Sequence, residues 1–118
     1  MGWRGSVTAH HEIWWADAGV PQGRRPFLIL TRDPVAARLN HIVVAPLTTT
    51  DRGLSSHLAV GTADGLKGDS WVNFDSIMTI DRNLLTNRVT ALSPARSDQA
   101  CAVMSYALGC GPPPFPSQ

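Results

Sequence analysis

Two short apolar runs constrain the fold of this 118-residue chain more than any other feature of its sequence. They are residues 25–30 (Arg-Pro-Phe-Leu-Ile-Leu) and residues 42–47 (Ile-Val-Val-Ala-Pro-Leu), the second followed by three threonines. Each run is typical of a short buried strand, and each has a polar group at one end. Arg25 opens the first run and Thr48 follows the second, so rigid elements would hold a guanidinium and a hydroxyl in fixed positions.

The rest of the chain predicts further short strands. We expect strands at residues 11–17, 25–32, 41–47, 58–60, 70–80 and 88–92, with the second buried on both faces. The long segment 70–80 should bend or bulge near residues 75–76, where polar residues interrupt the pattern. Single helical turns are expected at 35–39 and 81–85. Pro46 lacks a backbone donor, so the third strand should end or lie at an edge there.

One helix is predicted near the end of the chain. Ser93 and Pro94 are the residue types of an N-cap and a first helical position, and Gly111 supplies a stop. An apolar stripe at helical spacing should face the core: Ala100, Val103, Met104, Ala107 and Leu108. Many short strands with one terminal helix predict a mainly β fold, a small antiparallel barrel with a C-terminal α-helix.

The length allows one domain with one hydrophobic core. We expect a loose arm at residues 1–9, a folded domain at 10–111 and a disordered, proline-rich tail at 112–118. The net charge of +1 gives no sign of a nucleic-acid partner. Nine of the ten basic residues are arginines, which can hold phosphate with a forked contact, although a GC-rich genome gives the same bias.

The cysteines and the apolar pattern bear on the cellular compartment. Cys101 and Cys110 lie in the predicted helix, where nine residues rise about 13.5 Å, too far for a disulfide. Two free thiols predict a reducing, cytoplasmic setting. The apolar runs are too short for a membrane span, and the first residues lack the apolar core of a signal peptide, so no membrane partner is expected.

Six segments of the sequence, taken in order, form a recognisable set. They are 12–17, 23–30, 43–50, 65–66, 69–75 and 79–81, the last followed by Leu84. The set resembles the MazF/PemK (Kid) family of toxin endoribonucleases, or mRNA interferases, over about residues 10–110. The resemblance implies an SH3-like barrel of the CcdB/Kid/MazF type that forms a homodimer and binds single-stranded RNA in a groove along the dimer interface.

The same resemblance implies the toxin of a type II toxin–antitoxin system that inhibits translation and growth. Its sequence-specific cleavage of mRNA by 2′-hydroxyl attack would leave a 2′,3′-cyclic phosphate and a 5′-hydroxyl. Neither a metal nor another cofactor is implied. The disordered tail of a cognate antitoxin would occupy the RNA groove.

Such cleavage requires removal of the 2′-hydroxyl proton, charge stabilisation at phosphorus and a proton for the leaving oxygen. Arg25 matches the active-site arginine of the family, and we assign its guanidinium to charge stabilisation because arginine barely deprotonates. Without this match, a surface ion pair at a strand end would be the better interpretation of Arg25. Thr48 matches the family's threonine, whose hydroxyl can contact a phosphate oxygen or orient the attacking group. Asp75 matches an acidic family position. It is a candidate proton acceptor or base-binding group, and stabilisation of a bulge is an equally good interpretation.

Further residues are predicted to contact RNA: Arg24, Thr49, Thr50, Asn73 and Trp14. Trp14 and Trp15 should lie on opposite faces of their strand, so one would be buried and the other could stack on a base. Bonding of the hydroxyl to the local backbone is the alternative interpretation for Thr48, Thr49 and Thr50, and for the last two it is at least as good. Three other arginines could extend a phosphate path or be solvated surface residues: Arg32, Arg38 and Arg52.

The sequence departs from the family pattern in three places. The connector 19–23 is short and retains only Gln22 of a longer loop that carries acidic or basic groups in relatives. Asn73 replaces an arginine of the Kid branch, and Met78 replaces a basic residue. The histidines lack the spacing of a metal site, and none is assigned to catalysis: His10, His11, His41 and His57.

Two other function classes fit the same fold. A non-catalytic barrel could bind only RNA or antitoxin, as a decayed toxin or as a relative of the gyrase-poisoning CcdB branch. An SH3-like peptide-binding domain is disfavoured, because no aromatic-lined groove is recognisable from the spacing. Incubation with a long RNA in EDTA would separate the nuclease from the binding module.

Overall fold

The computed structural model describes residues 9–19 and 23–114, which form one antiparallel sheet and a helix. The strands are β1 (Glu12–Asp17), β2 (Arg24–Ile29), β3 (His41–Thr48), β4 (His57–Val60), β5 (Ser70–Asn73), β6 (Met78–Asp81) and β7 (Leu85–Ala91). They lie in the order β4-β5-β3-β2-β1-β7, with β6 also paired to β3. The helix α1 (Pro94–Ala107) follows the last strand. The predicted fold class, mainly β with a C-terminal helix, is confirmed.

Apolar side chains cover both faces of the central strands. Neighbouring residues of a strand point to opposite faces, and in β2 Leu28 enters one cluster while Phe27 and Ile29 enter another. The first cluster, here called the main core, joins β1 to β5 and the helix: Ile13, Leu28, Ala45, Leu58, Val72, Ala100 and Val103. Because β4 and β1 share this core, the sheet curls around it. The prediction that the second strand is buried on both faces is confirmed for residues 27–29, whereas Arg25 and Pro26 are half-buried and the strand ends at Ile29 rather than at residue 32.

The helix begins as predicted and ends earlier. The Ser93 hydroxyl accepts a hydrogen bond from the Arg96 amide at 3.3 Å, and Pro94 occupies the first helical turn. The helix ends at Ala107, and Gly109, with φ +76°, takes the left-handed conformation beyond it. The prediction that Gly111 is the stop is therefore wrong. Leu108, predicted to face the core, is 58% exposed because it lies past the last helical residue.

Segment 70–80 bends where predicted. A single 3₁₀ turn, Phe74–Ser76, separates β5 from β6. The Asn73 side chain caps this turn, since its Oδ1 accepts from the Asp75 amide at 2.9 Å and its Nδ2 donates to Ser76 Oγ at 3.1 Å. The predicted long strand is therefore two short strands, and polar side chains stabilise the break between them.

Pro46 lies inside a strand, contrary to the prediction that the strand ends there or lies at an edge. β3 continues to Thr48, and Pro46 is paired with Phe27 of β2 on one side. On the other side, β3 pairs with β6 through Val44 and with β5 from Leu47 onward. The missing N–H of the proline therefore falls where β3 changes partners, so that no ladder bond is lost.

The remaining boundaries differ by a few residues. β7 begins at Leu85 rather than at residue 88, because Leu85 pairs with Ala16 of β1. Short 3₁₀ turns at Val35–Ala37 and Arg82–Leu84 replace the predicted helical turns. Residues 1–8 of the arm, 20–22 of the connector and 115–118 of the tail lie outside the described residues. Within the described ranges, no helix has the length and apolar character needed to cross a membrane.

Candidate active-site groove

A groove of about 500 Å³ opens beside the ends of β1, β2 and β3. It is lined by side chains from these strands, from the loop between β4 and β5, and from β7. The lining residues, which define the groove below, are Trp15, Arg24, Arg25, Pro26, Leu47, Thr48, Thr49, Leu66, Lys67, Gly68, Asp69, Ser70 and Val89. Arg25 and Thr48, the two candidates from the apolar runs, are both among them.

The strand register brings these two residues together. β2 and β3 pair Phe27 with Pro46 and Leu28 with Ala45. Continuing that register by two residues sets Arg25 opposite Thr48. In agreement, the Arg25 Nη1 donates to the backbone carbonyl of Leu47, the neighbour of Thr48, at 3.5 Å. The guanidinium therefore lies across the end of β3 beside the threonine, although the catalytic roles of both residues stay predictions.

The three threonines after the second apolar run differ in position. The Thr48 Oγ1 accepts a hydrogen bond from the Thr50 amide at 3.1 Å, which fixes the oxygen and leaves the hydroxyl proton able to donate. Thr49 lines the groove, whereas Thr50 does not. The local backbone bond that is the alternative interpretation of the three threonines is therefore present at Thr48.

The two adjacent tryptophans lie in different environments. Trp14 is 5% exposed, packs beneath the sheet with Phe27 and donates its indole N–H to Glu12 Oε1 at 3.0 Å. It is buried and does not line the groove, which corrects the prediction that it contacts RNA. Trp15 lines the groove instead, and the guanidinium carbon of Arg24 lies 4.5 Å from its ring centroid. This separation is a cation–π contact.

Asp75 and Asn73 lie outside the groove lining. Asp75 is on the exposed 3₁₀ turn, where its carboxylate accepts a hydrogen bond from the Ser56 hydroxyl. Asn73 caps the same turn. Both side chains therefore have structural partners, and a role for either in RNA positioning stays a prediction.

Two charged residues of the groove were missed by sequence reasoning. Lys67, the single lysine of the chain, and Asp69 belong to the loop that follows Gly65. Gly65 has φ +96°, and a Cβ there would lie 2.4 Å from Thr90 Oγ1, so this turn requires glycine. The groove thus combines three cations (Arg24, Arg25 and Lys67) with one carboxylate. Gly65, Leu66 and Asp69 are in the family motif set, but spacing alone gave no direction for these side chains.

The histidines lie away from the groove lining. His11 is 2% exposed, and its Nδ1 contacts the Ser97 hydroxyl. Burial, with a smaller contribution from the neighbouring His10, lowers the pKa of His11 to about 4, against an opposing effect of Asp33. The other arginines considered for a phosphate path also lie outside the lining: Arg32, Arg38 and Arg52.

Comparisons with known proteins show the family of the chain. A family profile described as "PemK-like, MazF-like toxin of type II toxin-antitoxin system" matches residues 9–108. The "Probable endoribonuclease MazF2" of Mycobacterium tuberculosis is 45% identical over 100 residues, which cover 84% of this chain and 96% of the relative.

Two solved structures are similar in fold. The "Mycobacterium tuberculosis toxin MazF-mt6" has a TM-score of 0.75 at 32% identity, covering 83% of this chain and 96% of that one. An "Endoribonuclease in complex with its cognate antitoxin from Mycobacterial species" has a TM-score of 0.77 at 25% identity, covering 90% of this chain and 99% of that one.

Proposed function

This chain belongs to the PemK-like, MazF-like toxin family of type II toxin–antitoxin systems, and we propose that its groove binds and cleaves single-stranded RNA. It is a MazF-type endoribonuclease. The observation that carries the proposed site is the arrangement of Arg25 opposite Thr48, both lining one groove.

The proposed reaction is attack of a ribose 2′-oxygen on the adjacent phosphorus. The bond from phosphorus to the 5′-oxygen breaks, which leaves a 2′,3′-cyclic phosphate and a 5′-hydroxyl. Arg25 would hold two phosphoryl oxygens with its forked N–H groups, and the Thr48 hydroxyl would donate to an oxygen of the same phosphate. Both contacts strengthen as negative charge accumulates on the pentacoordinate phosphorus.

The reaction also moves a proton from the 2′-hydroxyl to the leaving 5′-oxygen. Asp69 is the one carboxylate among the groove residues in the described part of the chain, and we assign it the proton-accepting role. Asp75 lies outside the lining, so we assign it to RNA positioning beyond the scissile phosphate. Asp69 then releases this proton to solvent, and water supplies the proton that the leaving 5′-oxygen takes up. Because these steps use side-chain groups and water, cleavage should persist in EDTA.

RNA recognition would use the rest of the groove. A base can stack on Trp15, whose orientation the cation–π contact with Arg24 supports, while Arg24 and Lys67 can neutralise flanking phosphates. The Thr49 hydroxyl can donate to the sugar–phosphate backbone of the RNA. Thr50 contributes indirectly, because its amide donates to Thr48 Oγ1 and holds that hydroxyl in place. Because the toxin belongs to a toxin–antitoxin system, its partner is an antitoxin, which we propose competes with RNA for this groove. We also propose that the protein forms a homodimer and acts in the reducing cytoplasm.

The test is incubation of the purified protein with a long single-stranded RNA in EDTA, followed by mapping of the cut sites and of the end groups. Discrete cuts with 2′,3′-cyclic phosphate ends are expected, and Arg25→Ala and Thr48→Ala should each slow their formation by about 100-fold or more. Arg38→Ala is the matched control, since Arg38 is an exposed arginine outside the groove lining. Binding without cuts would favour the non-catalytic barrel and contradict the proposed chemistry.

A further inference from the structure

A second cluster of reactive side chains lies at the opposite end of β1 from the groove. His10 and His11 directly precede β1, and Cys101 comes from the middle of α1. One potential ligand atom from each residue lies within 4.8 Å of those of the other two. His11 is four strand residues from Trp15, about 13 Å along β1, so this cluster is separate from the groove.

His11 carries a nitrogen without a partner. Its side chain is 2% exposed, its Nδ1 contacts the Ser97 hydroxyl, and its Nε2 is buried without a hydrogen-bond partner in the described structure. Buried polar atoms are normally satisfied, so an orphaned imidazole nitrogen indicates a missing neighbour. Ser97 and Cys101 are one helical turn apart, which places the thiol and the hydroxyl on the same side of α1.

The hydrogen bonds around both histidines match those of metal ligands. A histidine ligand binds metal through one nitrogen while the other donates to a fixed oxygen, which sets the tautomer and the ring orientation. For His11 the partner oxygen is Ser97 Oγ, which accepts from Nδ1 in the tautomer that leaves Nε2 for the metal. For His10 it is the Thr31 carbonyl, 3.4 Å from Nδ1. The two rings stack with centroids 3.6 Å apart, and one nitrogen of each ring lies within 4.8 Å of the other.

We propose that His10, His11 and Cys101 form a binding site for Zn²⁺, with water in a fourth, exchangeable position. Two imidazoles and a thiolate suit zinc, whereas Mg²⁺ and Ca²⁺ require oxygen ligands. With bonds of about 2.0 Å to nitrogen and about 2.3 Å to sulfur, tetrahedral zinc holds its ligand atoms about 3.3–3.6 Å apart. From the upper limit of 4.8 Å in this cluster, the ligand atoms would therefore have to move closer by up to about 1.5 Å. Binding replaces the thiol proton of Cys101, which is released to solvent.

The metal would join the start of β1 to α1 and so stabilise the fold without entering the RNA reaction. A cation that binds only the folded state raises the unfolding temperature by mass action. Sequence spacing did not indicate this site, because the third ligand lies 90 residues beyond the histidine pair and only the packing of α1 brings it near. The zinc site and the proposed nuclease chemistry are tested independently of each other, because RNA cleavage is expected to persist in EDTA, which removes the metal.

The experiment uses the untagged full chain, stripped with EDTA in reducing buffer and then dialysed. Titration with Co²⁺ should give one ion per chain with tetrahedral d–d bands and a thiolate-to-metal charge-transfer band, both displaced by one equivalent of Zn²⁺. Zn²⁺ should also raise the unfolding temperature. Cys101→Ser should remove the charge-transfer band, and His10→Ala should weaken Zn²⁺ binding at least tenfold.

A positioning variant and two matched controls make the test specific. Ser97→Ala should lower the affinity about 10- to 100-fold while leaving the charge-transfer band in place, as loss of an outer hydrogen-bond partner does. Cys110→Ser and His41→Ala change exposed residues outside the cluster and should bind as the native chain does.

Three results would overturn the proposal. The first is no Co²⁺ or Zn²⁺ binding by the native chain. The second is binding without the thiolate band, and the third is equal loss of the band in Cys110→Ser and Cys101→Ser. Each would show that the cluster is not the site of a bound metal.

Discussion

The salt dependence of RNA binding tests whether Lys67 lines the phosphate path. Three cations line the groove, Arg24, Arg25 and Lys67. For a single strand the logarithm of the binding constant falls with the logarithm of salt concentration, with a slope of about 0.7 per neutralised phosphate, so three contacts give about 2.1 and two give about 1.4. Between 50 and 200 mM salt, affinity should therefore fall about 18-fold for the native chain and about 7-fold for Lys67→Ala.

The assay is fluorescence anisotropy with a 2′-O-methyl RNA, which lacks the attacking hydroxyl and so binds without being cut. The two slopes should stand in a ratio of about three to two. That ratio is unchanged if a homodimer presents two grooves to one RNA, because each groove loses the same cation. Arg38→Ala, which removes an exposed charge outside the groove, should keep the native slope.

Two outcomes would refute this reasoning. A flat salt profile for the native chain would mean that phosphates do not contact these cations. An unchanged slope in Lys67→Ala, together with a reduced slope in Arg38→Ala, would show that the RNA follows another surface.

Three further predictions concern a base contact, an ion pair and pH. Trp15→Ala should weaken RNA binding by about 1–3 kcal/mol, the value of one stacked base, in the same anisotropy assay. Arg96→Ala should lower the free energy of unfolding by about 1–3 kcal/mol in urea, because it removes a 2.9 Å ion pair from Asp64, whose side chain is 8% exposed. Because burial lowers the pKa of His11 to about 4, the unfolded chain binds more protons below pH 6.5. In metal-free buffer, stability should therefore fall by up to about 1.4 kcal/mol per pH unit from 6.5 down to 4, and His11→Asn should flatten that slope.

The local parts of the fold could be predicted because their causes are local. The apolar runs fixed β2 and β3, the Ser93–Pro94 pair fixed the start of α1, and the polar break at residues 75–76 fixed the bend between β5 and β6. The prediction that the strand ends at Pro46 or lies at an edge there was wrong, because the missing N–H of a proline matters only if a neighbouring strand would accept its hydrogen bond. Which strand lies beside a residue is a tertiary property that the sequence does not state.

In the candidate site, too, residues placed by local features could be predicted and residues placed by tertiary packing could not. Arg25 and Thr48 could be found because both match the family pattern and each lies at one end of an apolar strand, and antiparallel pairing sets those ends side by side. Trp14 and Trp15 were known to face opposite sides, but which of them is buried depends on the second apolar cluster beneath the sheet. Lys67 sits on a loop without periodicity, so only the folded chain brings it to the groove.

The most direct test of the proposed site is a double-mutant cycle on single-turnover RNA cleavage, with Arg25→Ala, Thr48→Val and the double variant. If both side chains contact one scissile phosphate, each single change should slow cleavage about 10²- to 10³-fold, and the double variant should be at most about tenfold slower than the worse single variant. Losses that multiply in the double variant, or a single variant that cleaves at the native rate, would contradict a shared phosphate.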